Sequence, residues 1–350
     1  MHSYYYKDNL TALEAKFAAQ KLAFAPAAFQ TAKAMVDLHI LKAIEDSKTD
    51  GLTIEAIIEK TGLSSYAVKL LMEFSLGLEL IKIVPNSEPQ AYVLGKTGYF
   101  LLNDELTKAN MNFINDVCYQ GFFYLQDSLK TGKPAGLKVF GDWDTIYQGL
   151  SALPEQVQKS WFAFDHYYSD SIFGAALPIV FKENPRHIMD IGSNTGKFTK
   201  AALSYNNQVL VTMVDLPQQI AMAQKNPDLF GFKDRIETFP TNILNAGEEL
   251  PSNVDTVWMS QFLDCFSLDE VQRILRKIKK YVPSHCNIFV LEPLWDMQRF
   301  EAASYSIQAT SIYFAAMANG NSKMYSYSDL VSAIEAAGCS LVCAHHNLGI

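Results

Sequence analysis

Met189-Asp190-Ile191-Gly192-Ser193-Asn194-Thr195-Gly196-Lys197-Phe198 follows a short apolar run and leads into a helical stretch, so it reads as the turn from a β-strand into an α-helix. Its pattern is D-x-G-x-x-x-G. Gly192 permits a tight turn and close backbone approach to a ligand, Gly196 opens the helix, and Asp190 offers a carboxylate at the strand end, where an ammonium can be held. A pyrophosphate-binding loop reads G-x-G-x-x-G, and its second glycine is here Asn194. A plain strand-turn-helix with no ligand also satisfies the pattern.

About 25 residues further on, the apolar run VTMVDLP ends in Asp215, where a carboxylate can accept both hydroxyls of a ribose. An acid there serves NAD and S-adenosylmethionine alike, and an exposed N-cap for QQIAMAQ is the alternative. From His187 onward the runs HIMDIG, QVLVTMVDLP, RIETFPTNI, DTVWMSQF and NIFVLEPLW alternate with helical stretches. That alternation means a mostly parallel sheet with helices on both faces, an α/β domain whose ligands bind at the carboxyl ends of the strands.

Upstream the texture is helical. Ala32, Val36, Ile40, Ala43 and Ile44 recur at the spacing of one buried face between Thr11 and Asp46, with Pro26 marking a break between two helices. Thr53 caps a helix with Ala56 and Ile57 on its core face, Gly62 makes a turn, and Ser64 or Ser65 caps the next helix. Two short strands, Ile81 to Val84 and Ala91 to Leu94, complete a winged helix. A DNA-reading version needs Lys and Arg on the second helix, where SSYAVKLLMEF offers only Lys69, so a structural, dimer-forming role is expected. Between Leu106 and Pro178 the helices are rich in aromatics, most of them core and a minority suited to lining a pocket for a flat substrate.

The 350 residues exceed the length of one ordinary domain, and 49% hydrophobic with 19% charged residues is a globular composition. A formal net charge of -8 argues against nucleic acid as a partner. No apolar stretch is long enough to span a membrane, and MHSYYYKDNL lacks the order of a signal peptide, so a cytoplasmic protein is expected. Five cysteines without a C-x-x-C pair give neither a disulfide framework nor a thiolate zinc site. His345 and His346 invite a metal reading, but neighbours in a strand point to opposite faces, so no metal is expected.

From about Ala23 to the C-terminus the chain resembles the class I O-methyltransferases of the caffeate and hydroxyindole type, which pair a winged-helix dimerisation domain with a Rossmann-like methyltransferase domain. The resemblance implies S-adenosylmethionine as donor and S-adenosylhomocysteine as product, with Asp190, Gly192 and Gly196 around the methionine part and Asp215 with Leu216 at the ribose. Thr241-Asn242-Ile243 stands where the family has a G-D-F segment at adenine, and the Asn242 amide can still accept from the adenine amino group. Met259-Ser260-Gln261 matches the segment beneath the donor, which makes Ser260 a further contact.

The departure lies in the base. Family members carry L-H-D-W-S-D, whose His removes a phenol proton, where this chain has Leu263-Asp264-Cys265-Phe266-Ser267-Leu268. Asp264 therefore stands at the base position. Methyl transfer is an in-line attack, and a base acting on a phenol of pKa about 10 contributes roughly 10²–10⁴-fold. An Asp serves only if burial raises its pKa.

Three readings stay open. Asp264 is itself the base or orients the acceptor; His166, in FAFDHYYSD, supplies the base; or the chemistry has been lost or changed. Glu292 matches a family position that orients base or substrate, while the second family glutamate is replaced by Ser322.

The expected organisation is a winged-helix dimerisation domain over 1–105, a helical substrate-pocket region over 106–180 and the Rossmann-like domain over 181–350. The expected activity is methyl transfer to an aromatic, phenolic small molecule or acyl group of secondary metabolism, free or borne on a carrier protein. Methylation of a ring carbon ortho to a phenol is the alternative. From other classes, a non-catalytic ligand-sensing or DNA-binding regulator is carried, and an NAD-dependent oxidoreductase is weakened by the missing G-x-G-x-x-G. The apolar N-terminal helices predict a homodimer.

Overall fold

The computed structural model describes residues 5–169 and 172–348. The chain divides into two compact units, one ending at Ile114 and the other beginning at Asn115.

The N-terminal unit holds helices α1 (Ala12–Ala23), α2 (Ala25–Asp37), α3 (Ile40–Asp46), α4 (Ile54–Thr61) and α5 (Ser65–Gly77), with strands β1 (Leu52–Thr53), β2 (Ile81–Ile83) and β3 (Ala91–Leu94). Helices α6 (Lys96–Asn103) and α7 (Glu105–Phe113) close it. The break near Pro26 falls at Phe24, leaving the proline in the first turn of α2, where its missing N–H costs nothing. Thr53 and Ser64 cap α4 and α5 by accepting from the Ala56 and Ala67 N–H groups. The three strands form an antiparallel sheet in the order β1-β3-β2. Met35, Ile40, Leu41, Ile44, Ile57, Val68 and Met72 fill the core, and Leu101, Leu102 and Met111 pack against it. Those contacts carry α6 and α7 with this unit, past the expected boundary at residue 105.

The C-terminal unit runs through α8 (Leu125–Thr131), α9 (Ile146–Gly149), α10 (Glu155–Ser169) and α11 (Phe173–Val180) into β4 (His187–Ile191), α12 (Lys197–Tyr205), β5 (Leu210–Asp215), α13 (Pro217–Ala223), β6 (Ile236–Pro240) and β7 (Thr256–Ser260). It ends with α14 (Leu268–Tyr281), β8 (Asn287–Leu291), α15 (Glu301–Tyr313) and α16 (Tyr327–Ala336). The five strands pair in parallel in the order β6-β5-β4-β7-β8.

Alternate side chains of β4 serve two cores. Ile188 joins Phe173, Phe198, Val211 and Trp258 on one face, whereas Met189 and Ile191 join Val257, Met259 and the buried stripe of α14 on the other. That stripe is Val271, Ile274, Leu275 and Ile278, a helical repeat, and a capping box between Ser267 and Glu270 starts the helix. The strand order reverses at β4, so the crevice for a ligand opens where the chain leaves β4 and β7.

One expectation is corrected. The segment holding His345 and His346 is not a strand: Ser340–Leu348 has no regular structure, and both histidines are exposed. The cysteine thiol of Cys343 lies 3.5 Å from His345 Nε2, while His346 lies against the Tyr327 ring. Among the described residues no cluster of three or more His, Cys, Asp and Glu side chains could hold a metal.

Candidate active site

At the exit from β4, Gly192 adopts φ of +75° and Gly196 φ of +82°, backbone that disfavours any side chain. A Cβ on Gly192 would lie 2.3 Å from Phe262 Cδ2, so the turn fits only against that ring. The Gly192 N–H donates to the Val214 carbonyl at 2.9 Å, which pins the loop to β5.

Asp215 ties the two strand ends together. Its Oδ2 accepts from the Asn194 N–H at 2.8 Å and its Oδ1 from the Leu216 N–H at 2.7 Å. Burial pushes its carboxyl up to about 6. Asp190 is likewise buried and pushed up to about 7, although the Thr199 hydroxyl donates to its Oδ2 at 2.6 Å.

A cleft of about 440 Å³, counted out to open solvent, runs along this loop. It brings together Asp190, Gly192, Ser260 and His166 from the expected set, with Asp165, Asn194, Trp258 and Gln261 added. Its other expected partners lie outside that lining: Asn242 is exposed and uses its Oδ1 on the Leu244 N–H, and the Ile243 side chain is spent in the core. Asp215 fastens the loop through the Asn194 N–H, and the Leu216 N–H donates to Asp215 in turn.

The residues present fit an adenosine-bearing cationic donor. Ser193 Oγ, Asn194 Oδ1, Thr195 Oγ1 and Ser260 Oγ are buried without a hydrogen-bond partner, so the loop carries polar atoms that a ligand would satisfy. Carboxyls at Asp165 and Asp190 supply the opposite charge.

Beyond Gln261 the chain enters a short 3₁₀ turn, Leu263–Cys265, that carries Asp264. Glu292, just after β8, holds this turn: its Oε1 accepts from the N–H groups of Phe262 at 2.9 Å and Leu263 at 2.8 Å. Its Oε2 is buried with no hydrogen-bond partner. Burial, and then the Asp264 charge, pushes the Glu292 carboxyl well above the usual range. Asp264 is only 4% exposed; burial, helped by the charge of Asp165, pushes it up to about 7 against a bond from the Cys265 thiol.

Around the pair stand groups that the sequence did not single out. Tyr147 is half-buried with its hydroxyl enclosed beside Cys265, Tyr313 and Asp264, and the Trp161 Nε1–H donates to the Tyr313 hydroxyl at 2.7 Å. Asp165 accepts from Asn194 Nδ2 at 2.8 Å and acts on the charges of Asp215 and Asp264, linking the cleft to the acid pair. Only its position beside His166 hinted at this. His166 reaches Asp165 at 3.9 Å and stacks on Phe162. Ser322, at the second glutamate position, bonds with Asn319, whose Nδ2 donates to the Cys265 carbonyl and so supports the Asp264 turn.

A family profile for O-methyltransferase domains matches residues 124–338, and one for Dimerisation2-like domains matches residues 16–87. Among solved structures the chain is similar to the S-adenosylmethionine-dependent methyltransferase SibL in its apo form, with TM-score 0.68, 20% identity and 92% of each chain covered. It is similar to mitomycin 7-O-methyltransferase, with TM-score 0.69 and 17% identity over 93% of this chain and 91% of that one. Human N-acetylserotonin methyltransferase in complex with S-adenosylmethionine aligns with TM-score 0.61 and 17% identity over 97% and 94%. No curated protein matches the chain at a significant level of sequence similarity.

Proposed function

The chain belongs to the O-methyltransferase family, whose methyl donor is S-adenosylmethionine, and from that premise we propose that it methylates the hydroxyl of an aromatic small molecule of secondary metabolism, with Asp264 taking the phenol proton. The observation that carries the assignment of Asp264 is its burial, which lifts the carboxyl to about 7 at the position where a base is expected. A base works best when its pKa lies near the working pH. The donor supplies a methyl on a sulfonium; the protein's part is to hold the acceptor in line, exclude water and accept the proton.

Glu292 is read as the group that fixes the turn, through the two N–H bonds on its Oε1. The cofactor assignments of Asp190, Gly192, Gly196, Asp215 and Ser260 rest on the loop geometry and the unsatisfied polar atoms along it. Asn242 is read as a contact at the adenine end, for which it is exposed and its Oδ1 keeps a second lone pair beside the one used on the Leu244 N–H. The helix α1 buries none of its side chains and exposes Leu13, Phe17 and Leu22, which supports a homodimer through the N-terminal unit.

His166 gives a second reading of the base, favoured by its place in the cleft wall. Alanine substitution at each position separates the two. With Asp264 as base the rate rises through about pH 7 and the Asp264→Ala variant loses at least about a hundredfold, while His166→Ala stays within a few-fold. Full turnover in Asp264→Ala sinks the assignment. Product NMR tells oxygen from ring-carbon methylation, and titration with S-adenosylhomocysteine and NADH, with Asp215→Ala as control, tests the donor class.

A further inference from the structure

The turn that carries Asp264 also carries a thiol to which no role has yet been assigned. Cys265 is half-buried, and its Sγ lies 3.4 Å from Asp264 Oδ1 and 3.9 Å from the Gln261 carbonyl oxygen. One S–H proton cannot serve both acceptors. The nearer contact is to the group that ionises, and a hydrogen bond to a charge is about twice as strong as a neutral one, so the proton goes to the Asp264 carboxylate. Burial, and then the Asp264 charge, pushes the thiol well above its usual range, so Cys265 stays a donor while Asp264 titrates.

The backbone on both sides gives that thiol little freedom. Glu292 Oε1 accepts from the Phe262 and Leu263 N–H groups, Asn319 Nδ2 donates to the Cys265 carbonyl, and the Tyr325 hydroxyl donates to the Phe266 carbonyl at 2.7 Å. The Tyr147 hydroxyl, enclosed and without a hydrogen bond of good geometry, lies against the sulfur. The titratable groups that face Asp264 from the surrounding elements are Tyr147 in α9, Asp165 in α10, Glu292 after β8 and Tyr325 before α16. The charges of Asp165 and Glu292 oppose ionisation of Asp264, whereas the Cys265 thiol favours it.

A thiol is a weak donor. A hydroxyl in its place would favour the carboxylate more strongly and weaken it as a base, while an apolar side chain would leave Oδ1 without this bond. We propose that Cys265 is a positioning residue for the methyl transfer, whose thiol holds one oxygen of Asp264 through a bond weak enough to leave the carboxylate basic. This rests on the reading of Asp264 as the base.

The test is the titration of Asp264, read by carbon-13 NMR of the full-length protein labelled at the aspartate side-chain carboxyls and assigned through the resonance that Asp264→Asn removes. The wild-type midpoint is expected at about 7. Cys265→Ser should lower it and Cys265→Ala should raise it, each by about half a unit or more. Opposite signs tell a lost donor from a damaged turn, because water admitted by loosening would lower the midpoint in both variants. Should the alanine variant fail to fold, Cys265→Val, which restores most of the lost volume, takes its place with the same expected sign. Any other pattern in the folded variants, whether an unmoved midpoint or shifts of one sign, overturns the proposal. The titration needs neither donor nor acceptor, so the two readings fail separately: full turnover in Asp264→Ala sinks Asp264 as base, whereas the wrong titration pattern sinks only the role of Cys265.

Discussion

Replacing Asp264 by Asn should stabilise the folded protein at neutral pH while removing its turnover. The Asp264 carboxyl is shifted by burial from 3.8 to about 7, so at neutral pH the folded chain ionises it at a cost of about 4 kcal/mol relative to the unfolded chain. The sign follows from proton counts. Between the two values the folded state holds a proton that the unfolded state has released, so stability is greatest below pH 3.8 and is lost as pH rises through about 7.

Asparagine has the same shape and no charge, and it also removes the Asp264 contribution to the raised Glu292 carboxyl. Its amide brings two N–H donors into a buried turn, which consumes part of the gain and leaves about 2 kcal/mol. For a domain of this size that is about 4–8 °C in thermal midpoint. Differential scanning calorimetry of both proteins at pH near 5 and near 7.5 reads the difference. The wild type should lose more stability across that interval than the variant. A variant no more stable than wild type near pH 7.5, with the same dependence on pH, refutes the account of Asp264 as a buried, strained carboxyl.

Two further substitutions probe the frame around the site. Gly192→Ala combines left-handed backbone at φ of +75° with a Cβ 2.3 Å from the Phe262 ring, about 2–4 kcal/mol in all, so both thermal midpoint and S-adenosylhomocysteine affinity should fall; an unchanged midpoint and affinity would show the turn to be unconstrained. Trp161→Phe removes the indole N–H that donates to the buried Tyr313 hydroxyl and should cost about 1–3 kcal/mol by thermal or chemical unfolding, and a loss under about 0.5 kcal/mol would contradict the importance of that bond.

What was legible from the sequence were features encoded within a few residues. The five runs from HIMDIG to NIFVLEPLW became the five parallel strands β4 to β8, because buried parallel strands are short, continuous and apolar. Gly192 and Gly196 announced the turn because only glycine takes such backbone without strain. Asp264 and Glu292 were singled out only through the resemblance, and the groups packed around them were not legible in the same way. Tyr147, Trp161, Asp165, Asp264, Glu292 and Tyr313 come from five separate elements or turns, and only packing brings them together. The strand expected at His345 and His346 failed for a related reason: β-structure needs a partner, and that segment pairs with nothing among the described residues.

The exchange of a histidine for Asp264 changes how a near-neutral base is obtained. An imidazole has a pKa near 6.5 in water, and burial lowers it; a carboxyl begins near 4, and burial raises it. Aspartate therefore reaches the useful range only in a dry, low-dielectric setting, which makes exclusion of water part of the base. The walls of that setting are the buried Trp161–Tyr313 hydrogen bond and the Asp264 turn, which Glu292 Oε1 and the Asn319 side chain fasten from two sides. Water entering there would return Asp264 towards 3.8 and extinguish its basicity with every residue still in place. The interactions that close the chamber and the chemistry of the proton are thus one requirement, and the stability lost in ionising Asp264 at neutral pH is the cost of meeting it with a carboxylate.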